Sequence, residues 1–203
     1  MVRIEDGLHS REALAQAVLS GAEVEYLHFW GHRPTADGRV GRGCLSQWWP
    51  APFTVDGVAY ASAEHWMMAG KARLFRDEAA ERAALAAASP AEAKTAGRRV
   101  RGFDEAIWAR HRFGLVVEGS FHKFAAHPEL AAFLLATGEK VLVEASPVDR
   151  VWGIGLAAAD EAAGDPARWR GANLLGFALM VARERLRLTT GRQHPSPGSP
   201  DRP

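Results

Sequence analysis

Apolar positions recur along the chain with two periods, and the switches between them mark out the elements. Leu14, Ala17 and Val18 fall on one side of a helix over 11–20, with Ser10 placed as its N-cap. VEYLHFW (24–30) reads as a strand and GHRPTADGRVGRG (31–43) as a glycine-rich mobile loop. FTVDGVAY (53–60) predicts a short hairpin turning at Asp56-Gly57. Ser62 can cap a helix that opens at Ala63, with Glu64 in its first turn, where a carboxylate suits the helix dipole. Asp77 starts an alanine-rich helix to about residue 88, and Ser89 caps another with Pro90 at its first position. Asp104 opens a helix through Trp108 and on past Phe121 and Phe124, and Pro128 opens one that ends at Thr137-Gly138. KVLVEAS (140–146) reads as a buried strand, and a strongly amphipathic last helix runs from about Asn173 to 188. The pattern is that of an α+β protein: a mostly α-helical single domain with a few short β-strands. We place an N-terminal helical segment over 1–23 and the main domain over 24–188. A proline-rich polar tail over 189–203 cannot bury a core and is expected to be disordered.

The helix at 63–75 carries a conflict. At about 100° per residue, Glu64, Met67, Met68, Lys71 and Phe75 share one stripe, so an apolar face holds both an acid and a base. Seven residues is two turns, about 10 Å along the axis, which is too far for an ordinary i,i+4 surface pair. Helical side chains lean toward the N-terminus, so Lys71 is expected to reach back toward Glu64 across a gap floored by methionines. Gly70 inside the helix costs about 1 kcal/mol relative to alanine, and a close approach by ligand or backbone would explain it. In the plain alternative, Lys71 snorkels to water and Glu64 only complements the dipole. In the chemical reading, a lysine in an apolar setting has its pKa lowered and becomes an amine nucleophile toward carbonyls or imines. The glutamate beside it can then move protons.

Composition narrows the setting. The chain has 203 residues, 47% hydrophobic and 24% charged, with a net charge of +1, so a long phosphate-backbone footprint is not expected. The contact expected is one of nucleotide size, or a local patch. One cysteine, Cys44, rules out an internal disulfide framework and a multi-cysteine zinc site, and fits a reducing cytoplasm. His65 is not followed by the second histidine of H-E-x-x-H, so no metal site is expected. No secretory signal or membrane span is legible.

Three further clusters could carry chemistry. In EASPVDRVWGIGL (144–156), Asp149 and Trp152 stand beside Gly153 and Gly155, where a backbone can approach a ligand and a ring can stack; a structural turn fits equally. RGANLLG (170–176) places Asn173 at a helix start, either as a cap or as part of an anion site. Arg98, Arg99 and Arg101 near another helix end either bind phosphate or are simply solvated. Seven tryptophans, among them Trp30, Trp48, Trp49 and Trp66, are more than core packing needs and suggest a stacking pocket for a planar base.

Several of these segments, in this order, resemble the NADAR (YbiA-like) family: Phe29-Trp30-Gly31, LSQWWPAPFTVDGVAYASAEHWMMAGKA (45–72), SPAEAK (89–94), VEASPVDRVWGIGL (143–156) and WRGANLLGFALM (169–180). The resemblance spans residues 24–188. It departs from the pattern after His65, where Trp66-Met67-Met68 stands in place of the Tyr-Phe-Gln type run frequent in relatives, while the glutamate and lysine are kept. The resemblance implies an N-glycosidase that cleaves the bond between ribose C1 and an exocyclic base amine, with no metal or redox cofactor. Two substrate classes go with the family: ADP-ribose on guanine, in nucleic acid or nucleotide, and the phosphoribosylamino-pyrimidines of riboflavin biosynthesis. Its site residues carry over onto Trp30, Gly31, Glu64, Lys71, Asp149, Trp152, Gly153 and Asn173, and we add Trp66, Met67, Arg98 and Arg99 as substrate contacts. A monomeric cytoplasmic enzyme is expected, reversing ADP-ribosylation of guanine, including in DNA repair. A non-catalytic module that binds ADP-ribose or a related nucleotide stays open as an alternative.

Overall fold

The computed structural model describes residues 9–193, and side chains to residue 189. Among them are seven α-helices and four short strands, the α+β architecture expected from the sequence. Ser10 accepts a hydrogen bond from the Ala13 N–H (3.1 Å) and starts α1 (Arg11–Leu19), which packs on a 3₁₀ turn at Pro166–Arg168. β1 (Tyr26–Phe29) lies parallel to β4 (Val141–Glu144), with Tyr26 opposite Val141 and Phe29 opposite Glu144. Parallel partners need a long crossover, and here it holds most of the chain. In order come the hairpin β2 (Phe53–Val55) and β3 (Val58–Tyr60), then α2 (Ala63–Leu74), α3 (Glu78–Leu85), α4 (Pro90–Arg98), α5 (Glu105–Ala125) and α6 (Pro128–Ala136). The chain closes with α7 (Leu174–Gln193), packed on α5 and β4.

Most of the local signals act as expected. The hairpin turns at Asp56 (φ 49°) and Gly57 (φ 79°), the left-handed pair that a two-residue primed turn requires. Asp77, Ser89 and Asp104 each accept a hydrogen bond from the N–H three residues on, at 2.9–3.2 Å. Ser62 is a correction. Its hydroxyl bonds His65 Nδ1 at 2.7 Å and caps no N–H, while the Glu64 N–H donates to the Gln47 carbonyl at 3.0 Å. The first turn of α2 is thus satisfied by the loop that precedes the hairpin.

α7 is a second correction. Residues 175–180 are buried on every side, because α5 covers one face and β4 another, so only the later turns are amphipathic. The helix also runs to Gln193, past the expected start of the tail at 189; residues 194–203 lie outside the described residues. No helix among the described residues is long and apolar enough to cross a membrane.

Burial of α2 resolves the conflict on its stripe. Ala63 through Gly70 are all buried, so this is a central helix, wrapped by α3, α4 and α5. Over this stretch the helix shows no polar face to water, and the stripe that carries Glu64 and Lys71 faces an internal cleft instead. Phe75 leaves the stripe and joins a small cluster with Ala72, Ala80 and Val100. Gly70 answers to packing, since a Cβ there would meet Leu115 of α5 at 2.6 Å. It admits a neighbouring helix, not a ligand.

Candidate active site

The cleft lies at the carboxyl ends of β1 and β4, the end at which parallel sheets usually bind ligands. Its volume is about 530 Å³, within the range typical of small-molecule sites. β1 delivers Trp30, Gly31 and His32, and β4 delivers Glu144 and Ser146. α2 supplies Glu64, Met67, Met68 and Lys71, and α4 supplies Lys94 and Arg98. Trp48 enters from the loop before the hairpin, and Asp149 and Trp152 from the turn after β4.

Glu64 is 3% exposed, and its Oε1 has no hydrogen-bond partner. Burial pushes its pKa up to about 7, against the opposing pull of Lys94, a hydrogen bond from Trp48, and Arg98. Lys71 makes no ion pair with it. The Lys71 ammonium stands 4.1 Å from the centre of the Phe103 ring and 5.6 Å from that of Trp108. Burial lowers the Lys71 pKa, and Glu105 partly offsets that. The acid and the amine therefore open onto one cavity unpaired, with Met67 and Met68 between them in sequence.

Asp149 is held by its own turn. Its Oδ1 accepts from the Val151 and Trp152 N–H groups at 2.8 Å each, and its N–H donates to Ser146 Oγ at 3.2 Å. That turn is in turn bound to the start of α7: the N–H groups of Ala172, Asn173, Leu174 and Leu175 donate to the carbonyls of Arg150, Gly153, Val151 and Trp152. The α7 N-terminus is closed by this backbone and offers no open anion site, which corrects one expectation.

Four expected contacts lie elsewhere. Asn173 is fully buried with φ 54°; its Nδ2 donates to Leu142 O and its Oδ1 accepts from Glu144 N, both at 2.9 Å. It substitutes for a neighbouring strand along β4 and positions Glu144. Gly153 does not line the cleft. A Cβ there would stand 2.7 Å from the Glu144 carbonyl oxygen and 3.1 Å from that of Asp149, so the glycine lets the turn pack against β4. Trp66 points away, its indole N–H on the Leu115 carbonyl (2.8 Å) and its ring among Phe53, Tyr60 and His122. Arg99 faces a shallow surface depression with Asp77 and Arg101, because one residue along α4 turns it about 100° from Arg98. Trp30, Gly31, Met67, Arg98 and Trp152 do line the cleft.

Gly153→Ala should force backbone against backbone, where nothing can rotate aside. We expect a loss of about 1–3 kcal/mol, read as a lower urea midpoint at unchanged slope.

Sequence reasoning missed Lys94, Trp48 as a partner of Glu64, and Glu144. Lys94 stands four residues before Arg98 and so shares its helix face, a signal that could have found it. Glu144 ends a parallel strand, the place where such sheets bind ligands. Its Oε2 is buried without a partner, and burial, with Asp149 and Glu64 nearby, pushes its pKa up to about 8; Lys94 opposes the shift.

Four resemblances bear on this arrangement. The NADAR domain profile matches residues 28–187. The chain is 41% identical to a protein named N-glycosidase R617 from Acanthamoeba polyphaga mimivirus, over 79% of this chain and 95% of that one. It is 33% identical to a longer protein named riboflavin biosynthesis protein VVA0006 from Vibrio vulnificus, over 71% of this chain and 35% of that one. The NMR structure of the E. coli protein YbiA superposes with a TM-score of 0.67 at 27% identity, covering 85% of this chain and 91% of that one. A crossover domain with its cleft at the ends of two parallel strands is the class to which fold and site belong. The chain is a member of the NADAR family.

Proposed function

We propose that this protein is an N-glycosidase, a hydrolase that cleaves the bond between ribose C1 and an exocyclic base amine, with ADP-ribose on guanine as its substrate. The observation that carries this reading is the buried Glu64, in no ion pair and with Oε1 free of any hydrogen bond, facing one cavity with a Lys71 amine that is also in no ion pair. The names of relatives such as N-glycosidase R617 support the reaction class.

An exocyclic N-riboside differs from an ordinary nucleoside in that its nitrogen lone pair can open the ring to an imine. Lys71 Nζ then adds to C1, the base amine leaves, and a lysine Schiff base remains. Water attacks that carbon with Glu64 as base, and the lysine is released. Asp149, fixed by its turn, orients the sugar. Lys94 and Arg98 along one face of α4 suit a phosphate, and Trp30, 63% exposed at the mouth, suits a stacked base.

A phosphoribosylamino-pyrimidine is the second reading, favoured by the name of the Vibrio relative. Purified protein supplied with each substrate separates them: release of ADP-ribose supports the first, release of a ribose phosphate supports the second. Release of neither, with calorimetric nucleotide binding unchanged in a Glu64/Lys71 double variant, would leave a non-catalytic binding module.

The pH profile follows from the environment of Glu64. A base must be ionised, and burial holds the Glu64 carboxyl protonated until about pH 7, so kcat/KM should rise as pH is raised through that value. Trp48→Phe removes the hydrogen bond that favours the carboxylate and should move this limb to higher pH. An unmoved midpoint would assign the limb to another group.

A further inference from the structure

The two buried carboxyls of the cleft, Glu64 and Glu144, stand in unequal surroundings. Glu64 on α2 has the Trp48 hydrogen bond, Lys94 and Arg98 to favour its ionised form, with Asp149 against it. Glu144 on β4 has Lys94 alone in its favour, and faces Asp149 from the following turn and Glu64 from α2. α7 offers it no charge, only Asn173, which holds its backbone N–H. Its Oε2 is shut away from water and accepts no hydrogen bond. Two carboxyls that share a cavity do not readily ionise together, and the less favoured one keeps the proton. Both line the space in which the sugar–base bond would lie.

Resting on the N-glycosidase reading above, we propose that Glu144 is a catalytic residue, the general acid that delivers a proton to the departing base amine. A base amine is a poor leaving group as an anion, whether the attacking atom is Lys71 Nζ or a water oxygen. As the bond from C1 to the exocyclic nitrogen breaks, its electron pair stays on that nitrogen, which takes the Glu144 proton. Glu144 is left as a carboxylate, and the new bond forms at C1. Glu64 takes the proton of the attacking water and releases it to solvent, and Glu144 regains one from solvent as product leaves, so both carboxyls return to their starting states. Division of labour between two carboxyls set apart by their surroundings is a recurrent catalytic pattern.

The test uses two substrates and one substrate-free measurement. Glu144→Gln keeps the shape and a hydrogen-bond donor but has no proton to give. On a guanine-type N-riboside its kcat should fall about 10²–10⁴-fold with little change in KM, and the loss of activity expected in the parent as Glu144 gives up its proton near pH 8 should disappear. On an N-riboside whose amine carries strongly electron-withdrawing groups, and so leaves unaided, the variant should come within a few-fold of the parent. Equal loss on both substrates, or no loss on either, overturns the proposal. Independently, infrared difference spectra of the ligand-free protein at pH 7 should show a protonated carboxylic acid band that Glu144→Gln removes. A Glu64 band is expected to remain, since that carboxyl also holds a proton near pH 7; spectra in which Glu144→Gln removes no carboxylic acid intensity overturn the proposal. If the parent protein cleaves neither riboside, the glycosidase reading fails instead, and the infrared result still decides whether Glu144 holds the proton.

Discussion

Glu64→Gln is expected to lower kcat/KM on an exocyclic N-riboside by about 10³-fold, within the range typical of a lost general base, while leaving KM near its parent value. The amide is isosteric and neutral, so the buried side chain is not left as an uncompensated charge, and thermal stability should not drop. The loss would therefore report chemistry and not folding. What makes the effect large is the absence of a substitute. Asp149 spends Oδ1 on its own turn, and Glu144 has fewer groups beside it that favour its ionised form. A Glu64→Gln protein with near-parental turnover would remove Glu64 from the mechanism.

Lys71 carries the second large effect. Lys71→Ala should abolish measurable turnover, and borohydride added during turnover should trap a ribosyl adduct on the Lys71 peptide of the parent protein. Lys71→Arg discriminates between routes. Arginine keeps a cation over the Phe103 and Trp108 rings, but its guanidinium stays protonated and does not form a Schiff base. In the covalent route Lys71→Arg is as inactive as Lys71→Ala. In direct attack by water it retains substantial activity, and Glu64→Gln is then far more damaging. Parental activity in Lys71→Arg with no trapped adduct would eliminate the Schiff base.

Periodicity was sufficient for most elements because the helices here begin with side chains that act locally. Asp77, Ser89 and Asp104 needed only the N–H three residues on, and that relation is written in the sequence. Ser62 failed because the Glu64 N–H it could have capped donates to a carbonyl outside the helix, that of Gln47. The amphipathic reading of α7 failed for a related reason: periodicity counts faces, and it does not reveal that α5 and β4 cover two of them. At the site, the stripe on α2 exposed Glu64, Met67 and Lys71, since two charges on an apolar face have no structural use there. Glu144 was hidden by its strand, where one acid after an apolar run reads as the point at which the strand meets water. Asn173 and Gly153 were found as site residues but act one layer back, because a motif shows which positions matter and not which way they point. Trp66 and Arg99 were misplaced by neighbourhood alone, each one step along a helix from a cleft residue.

The closure of the α7 N-terminus by the carbonyls of residues 150–153 gives the two walls of the cleft different mechanical characters. The wall that carries Asp149 and Trp152 is a loop by outline, yet it cannot detach without unwinding the first turn of α7, which is buried over 175–180. Its amide protons should exchange with solvent only through openings that also expose α7, and so nearly as slowly as the core. The opposite wall, from Trp30 into the glycine-rich segment that follows, has no such fastening to a helix end and should exchange readily. On the N-glycosidase reading proposed above, substrate entry and product release then fall to the Trp30 side, while the Asp149 side stays fixed.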